Sequence, residues 1–370
     1  MSLIETRMQN LRVNSPIDKN MARPSRYGAL DLFVYETYNP QGIISPELRE
    51  RAFASIGRTV QVPVLDYDGD VTLSNTRSCT IADDENTSKL YTVTFATVSW
   101  GFTMVPAMYH NNDISLQKDW ERKFLKYLFK VAATLDTAAL AALSAAKTQV
   151  FADTLNYTPT GNVIPAGWDA RYDILGDLEA MMNANDYYRR MHVVGNTGVQ
   201  ALINKLAKLG EQNAINERLE YLNKWMHFTN QLPNEEGVYG TMYMVEDGQV
   251  GMVFRVDRES LYRRRMADGT QWDVMELPLV GIPVGTYYAE SKGDYSAIAG
   301  ESTADMTCAF KEMYGFSFDY AIITPYNSSP TTVANPIIKA TIGKPTGDPN
   351  SIPVHQTEPA PTAAGGGDGA

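Results

Sequence analysis

Apolar and polar positions alternate cleanly along "KLYTVTFATVSWGFTMV" (89–105), but the alternation changes parity part-way. Tyr91, Val93 and Phe95 share one face of a strand, whereas Val98, Trp100, Phe102 and Met104 share the other. A strand keeps one face per parity, so the switch near Ala96 and Thr97 predicts a bulge or a change of sheet. The run "RTVQVPVL" (58–65) predicts an earlier strand, separated from the first by a long polar stretch. Together they read as a projecting hairpin whose second strand ends in a different layer.

A helical period follows. Residues 111–147 contain neither Gly nor Pro, and Leu116, Trp120, Phe124, Tyr127, Leu128, Val131, Leu135, Ala138 and Ala142 recur at steps of three and four. This is one apolar face of a single helix spanning roughly 50 Å. Its second half is Ala-rich and drifts out of a heptad, so a helix lying across a sheet is expected rather than a coiled coil. Upstream, "SPELRERAFASIG" (45–57) predicts a short helix. Ser45 is suited to cap it, Pro46 and Glu47 to open it, and Gly57 to end it. Residues 1–42 mix polar residues with isolated apolar ones and read as an arm that needs a partner surface.

The Pro- and Gly-rich stretch 156–168 predicts a boundary. Beyond it an α/β pattern runs through a helix "WDARYDILGDLEAMMNA", a strand "RRMHVVGN" and a helix "TGVQALINKLAKLG". A third helical stretch is expected near 214–226, then strands within 238–290. "TCAFKEMYGFSFDYAIITP" (307–325) alternates as a long strand, with Tyr314, Phe316, Phe318, Tyr320 and Ile322 on one face. From about 327 the chain turns Pro-, Thr- and Gly-rich, the composition of a tail or an arm that orders on a partner.

Composition narrows the function classes. The 370 residues suffice for two or three domains or one large elaborated one, and 44% are hydrophobic, enough for a sizeable core. A net charge of −11 argues against tight nucleic-acid binding, which relies on Lys and Arg neutralising phosphates. Two cysteines, Cys79 and Cys308, make neither a disulfide framework nor a zinc pattern and fit a reducing compartment. "MSLIETRMQNLR" carries charge early and lacks the apolar run of a signal peptide. No window holds ~18 uninterrupted apolar residues, so no membrane span is expected.

Catalytic signatures are missing. The chain has no GxSxG elbow, Walker loop or GxGxxG turn, and "GKPTG" lacks the Gly-rich half of a phosphate loop. His110, His192, His227 and His355 are scattered, with none paired at ligand spacing. His192, in an apolar strand, reads as a satisfied core histidine. Asp66, Asp68 and Asp70 in "VPVLDYDGDVTL" resemble the start of an EF-hand, but Val71 and Arg77 stand where its Gly and Glu belong. No metal or cofactor is therefore expected. The acidic groups Asp66, Asp68, Asp70, Asp83, Asp84 and Glu85 read as a solvated hairpin. The basic run Arg263, Arg264 and Arg265, with Arg255 and Arg258 nearby, is a solvated face or a complement to another acidic segment.

The order of elements carries more than any motif. Arm, two-stranded projection, long helix, α/β domain and late return strand resemble the major capsid proteins of tailed bacteriophages, whose fold encapsulins share. The segment "RTVQVPVLDYDGD…MVPAMY" looks like that family's extended loop, and helix 113–147 is similar to its spine helix. Strand 307–325 is similar to the strand beneath that helix, and "MHVVGNTGVQALINKL" to a unit of the axial domain. The resemblance implies an α+β fold and a division of the chain. An arm with a short helix would occupy 1–57, an extended hairpin loop 58–105, and a peripheral domain with the spine helix 106–160. An axial α/β domain would follow at 161–306, the return strand at 307–326 and a tail at 327–370.

It further implies a structural protein, not an enzyme, that self-assembles as pentamers and hexamers into a tailed-phage head around double-stranded DNA. Scaffold, portal and decoration proteins would be further partners, with DNA touched weakly and no membrane. Such a coat sits in the virion after assembly in the bacterial cytoplasm. No long helical scaffolding segment precedes residue 45, so any scaffold is expected as a separate or cleaved chain. The acidic hairpin groups and the five arginines are then candidate contacts between subunits. An encapsulin-type shell is the alternative within the fold, and an α/β enzyme using 168–300 the alternative outside it.

Overall fold

The computed structural model describes residues 3–14, 26–54, 57–65, 88–109, 115–209, 220–221, 224–233, 235–256, 270–278, 281–296, 309–327 and 330–345. The chain opens with α1 (Leu3–Asn14), α2 (Gly28–Thr37) and α3 (Pro46–Ala54), then β1 (Thr59–Leu65), β2 (Ser88–Thr94) and β3 (Ala96–Met104). The long helix α4 (Leu116–Ala146) precedes β4 (Ile164–Ala166), α5 (Ile174–Ala184), β5 (Met191–Gly195) and α6 (Thr197–Leu209). Strands β6 (Glu220–Tyr221), β7 (Lys224–Phe228), β8 (Val238–Glu246) and β9 (Gly251–Arg255) follow. Last come β10 (Thr270–Leu277), β11 (Ile282–Gly293), β12 (Ala309–Ile323) and β13 (Ile337–Gly343).

The parity switch is a change of sheet. β1 and β2 pair antiparallel as a two-stranded sheet, while β3, one residue further on, joins a five-stranded sheet beside β12. Phe95 is the joint, and its buried ring lies in a small core with Ile44, Leu48, Val60, Val93, Ala321 and Ile323. The base of the hairpin is thus pinned to α3 and to the end of β12. Ser45 caps α3 as expected, its hydroxyl accepting from the Leu48 amide at 3.2 Å.

Helix α4 has 31 residues, roughly 46 Å at the α-helical rise, and Ser115 caps it by accepting from the Lys118 amide. Trp120, Phe124, Leu128, Val131 and Leu135 are buried in the main core, and the part of α4 that carries Trp120 and Phe124 lies on the five-stranded sheet. Ring contacts stitch the two layers: Phe124 meets Phe316 with centroids 5.5 Å apart, and Trp120 meets Tyr314 at 6.0 Å. The buried stripe continues through Ala139 and Leu143 rather than the expected Ala138 and Ala142, because 3.6 residues per turn walks the face round over so many turns. By length and composition alone α4 could cross a membrane, but this stripe is buried in the main core. β12 has 15 residues and both faces of its end are covered: Tyr320 and Ile322 pack on the main core, Ala321 and Ile323 on the small one.

A six-stranded sheet, β4-β13-β8-β5-β7-β6, forms the other half. One face, with Val193, Met242, Met244, Ile338 and Ile342, packs on α5 and α6; the opposite face sends Val194, Tyr243, Val245 and Ile337 into the core shared with α4.

Four expectations change. The described parts of 1–42 are not an arm awaiting a partner. Ile4, Met8 and Leu11 on α1, and Leu30, Leu32 and Phe33 on α2, are buried in the chain's own main core. Ile4, Met8 and Leu11 sit at helical spacing, a stripe too short to stand out against polar neighbours. The helical stretch at 214–226 is replaced at its described end by β6 and β7, since Lys224–Phe228 finds a parallel partner in β5 and tertiary pairing overrides local propensity. The tail contains a core strand: β13 lies antiparallel to β8, with Ile337, Ile338, Ala340 and Ile342 fully buried. Finally, the span 161–306 is not one domain, because β9, β10 and β11 belong to the five-stranded sheet.

Candidate assembly surface

The residues singled out in the sequence divide in two. Asp66, Asp68, Asp70, Asp83, Asp84, Glu85, Arg258, Arg263, Arg264 and Arg265 lie outside the described residues, as do Cys79, Cys308, His110 and His355. Arg255 is described, and it is turned inward rather than toward a neighbouring subunit. It stands opposite Asp319 in the β9–β12 register, and its Nε donates to the Asp319 carboxylate at 3.2 Å. Both side chains are buried, the guanidinium covers the Phe95 ring at 3.9 Å, and Asp319 also accepts from Thr97 Oγ1 at 2.6 Å. The arginine locks the hairpin base to the body. Nothing in the sequence around Arg255 signals that it faces a carboxylate 64 residues away.

Several features present unfinished structure. β1 and β2 pair with each other and, among the described residues, with no third strand. Among the described residues β3 and β10 are the edges of the five-stranded sheet, and Ser99, Gly101 and Thr103 on β3 and Val274 on β10 are exposed. Open strand edges are templates for pairing with another chain. Phe310 at the start of β12 and Tyr38 after α2 are more than half exposed. At the start of α4, Asp119 gathers Tyr109 Oη at 2.6 Å, Arg122 Nη2 at 2.8 Å and Lys123 Nζ at 2.9 Å. Burial would raise its carboxyl pKa, but these donors outweigh it and hold the group below the usual range. The same contact, after burial, pushes the Tyr109 phenol well up.

A second polar constellation lies inside. Helix α2 crosses the inner face of the six-stranded sheet and delivers Asp31, Tyr35 and Glu36 to β5 and β7. Gly28 permits this approach, since a Cβ there would stand 2.5 Å from the Phe228 backbone nitrogen. His192 on β5 and His227 on β7, two register positions apart and so on the same face of the parallel pair, meet ring nitrogen to ring nitrogen at 3.1 Å. His227 Nδ1 reaches Asp31 at 3.0 Å, while His192 Nε2 faces Glu36 Oε1 at 2.9 Å and Asp247 Oδ1 at 3.1 Å. Asn39 Nδ2 donates to both carboxylates at 3.0 Å, and the Gly248 amide donates to Glu36 at 2.8 Å. Burial opposes charge on His192, but Asp247 and Glu36 outweigh it and hold its pKa above the ordinary histidine value. His192 is the buried core histidine the sequence suggested, yet the two histidines are not scattered. Their shared parity in "MHVVG" and "KWMHF" was the available signal, hidden by reading the second segment as helix.

The chain resembles chains of several solved phage structures. A chain from Mycobacterium phage Che8 is similar at a TM-score of 0.45 and 13% identity, over 80% of this chain and 88% of that one. A chain of the capsid of Ralstonia phage GP4 is similar at 0.44 and 13%, over 80% and 86%. A chain of the bacteriophage PhiM1 mature capsid is similar at 0.42 and 10%, over 77% and 82%. No family model matches the chain, and no curated protein does.

Proposed function

We propose that this chain is a major capsid protein that self-assembles into the head shell of a tailed bacteriophage. The observation that carries the reading is the two-stranded β1–β2 sheet, which leaves the body at Phe95 and shares neither of its larger sheets. A lone pair of strands is marginal in water and gains stability from a neighbouring surface. The remaining architecture supports the same use: a 31-residue helix over a sheet with a 15-residue strand, a six-stranded α/β unit, and, among the described residues, open edges at β3 and β10. In this reading the hairpin of one subunit lies on the next. The acidic groups Asp66, Asp68, Asp70, Asp83, Asp84 and Glu85 meet the basic run Arg258, Arg263, Arg264 and Arg265 of an adjacent subunit. The shell encloses double-stranded DNA, and the acidic chain, at −11, keeps the contact with packaged DNA weak. Scaffold and portal proteins are its partners during assembly in the bacterial cytoplasm.

Electron microscopy and sedimentation of the purified full chain test this. Closed shells, rings or capsomers are expected across micromolar concentrations. A compact monomer at every concentration and salt tested overturns the reading, and shells that form around protein cargo and exclude DNA move it to a compartment shell.

A further inference from the structure

We propose that Glu36, His192 and Asp247 form a binding site for one divalent transition-metal ion, of the Zn2+ class, which clamps α2 to the six-stranded sheet. The three ligand atoms converge from separate parts of the chain: Glu36 from α2, His192 from β5, and Asp247 from the turn after β8. Glu36 and His192 are fully buried, and Asp247 is partly open to solvent, which leaves a route for an ion.

The hydrogen-bond network assigns the tautomers. His227 donates from Nδ1 to Asp31, so in its neutral form its Nε2 accepts, and the donor to it is His192 Nδ1. A neutral His192 then turns a bare Nε2 lone pair toward two carboxylates, and a positive charge must lie between them. A proton satisfies this in part. One N–H serves one oxygen, and Glu36 Oε1, buried and 2.9 Å from that nitrogen, is left without a hydrogen bond. A divalent ion would bind the nitrogen and both oxygens at once. Ligand bonds of about 2.0–2.2 Å place neighbouring tetrahedral ligands about 3.3 Å apart, so the 2.9 and 3.1 Å separations need to open by only tenths of an ångström.

The surroundings match what a metal site requires. A ligating imidazole is normally oriented by a hydrogen bond from its other nitrogen, and ligating carboxylates by donors of their own. Here the relay His192–His227–Asp31 orients the ring, while Asn39 and the Gly248 amide orient the carboxylates. The set of one nitrogen and two oxygens suits a first-row ion with water completing the shell. This inference does not depend on shell assembly, because every ligand comes from one chain.

The test uses untagged full-length protein stripped with chelator and dialysed at mildly alkaline pH, so that protons do not compete. Zn2+ titration by calorimetry should give one tight site per chain and a rise in melting temperature. Co2+ should give the visible absorption of a low-coordinate nitrogen–oxygen site. Glu36→Gln should abolish both. Asn39→Ala, which touches no ligand bond, should weaken binding roughly 10–100-fold. Wild-type protein that binds no more Zn2+ than Glu36→Gln overturns the proposal and leaves a proton as the occupant. Should Glu36→Gln fail to fold, an Asn39→Ala affinity equal to wild type overturns it instead.

Discussion

The Asp136 carboxylate, fully buried on α4, accepts the backbone amide of Leu30 at 2.9 Å and so ties the N-terminal segment to the centre of the molecule. Its second oxygen accepts from Thr229 Oγ1, at the point where Tyr27 and Thr229 form a bridge between the segment entering α2 and the strand end after β7. One side chain on α4 thus holds three parts of the chain together.

Removing that acceptor strands a buried amide, so Asp136→Ala should cost ~1–3 kcal/mol, read by chemical denaturation of the monomer. Asp136→Asn keeps an acceptor for Leu30 and supplies a donor to Thr229. Burial raises the Asp136 pKa against the opposing pull of Thr229 and the Leu30 amide, so the folded chain holds this proton more tightly than the unfolded one. Stability from such a group is complete below the ordinary value of 3.8 and is lost as pH rises through the higher folded value. The Asn variant, which does not titrate, should therefore gain on wild type as pH rises from about 4 toward neutrality. A gap that shrinks over that range would show Asp136 to be stabilised as a carboxylate.

What the sequence revealed was local periodicity. The parity switch located the sheet change near Ala96 and Thr97, next to the joint at Phe95, because seven apolar residues along 91–104 report their own faces. The α4 stripe was legible for the same reason. Relations between distant segments were not. β13 is spelled "IIKATIG", a good strand, but it lies in a Pro- and Thr-rich neighbourhood whose average composition masked it. His192 and His227 meet only because β5 and β7 are parallel neighbours, and Arg255 turns inward only because Asp319 is its register partner. Pairing partners, unlike periods, are not written in any one segment.

The aromatic seam between α4 and the five-stranded sheet should dominate stability. Phe124 is fully buried between Trp120, stacked at 5.2 Å, and Phe316. Phe124→Ala should cost ~3–5 kcal/mol, lowering soluble yield and melting temperature. An unchanged melting temperature would mean that the helix does not rest on this sheet.

Gly28 tests the docking of α2 on β7. Its missing Cβ would clash with the nitrogen, carbon and carbonyl oxygen of Phe228, and backbone cannot swing aside as a side chain can. Gly28→Ala should destabilise by at least ~1–3 kcal/mol, although alanine favours helices. A stabilised variant would show that α2 sits further from the sheet. Hydrogen exchange at α2 amides gives an independent readout, since lifted docking should raise exchange there before it does in β12.

The charge reading of assembly makes the last prediction, and Arg255 supplies its control. Reversing Asp83, Asp84 and Glu85 to Lys should weaken shell formation, more strongly at low salt where repulsion is least screened. Changing Arg263, Arg264 and Arg265 to Glu in the same chain should restore part of it, because the pair of patches regains opposite sign. Arg255 belongs to a different category. Its partner is Asp319 in the same chain, both are buried, and leaving that carboxylate unpaired should cost ~3–5 kcal/mol in the Arg255→Ala monomer at any salt. Sedimentation separates the cases. A hairpin reversal should yield folded subunits that fail to assemble, whereas Arg255→Ala should yield subunits that melt early. A double reversal no better than the single one would mean that the acidic hairpin meets some other surface, and an Arg255→Ala chain with wild-type stability would mean that the arginine is not committed to Asp319.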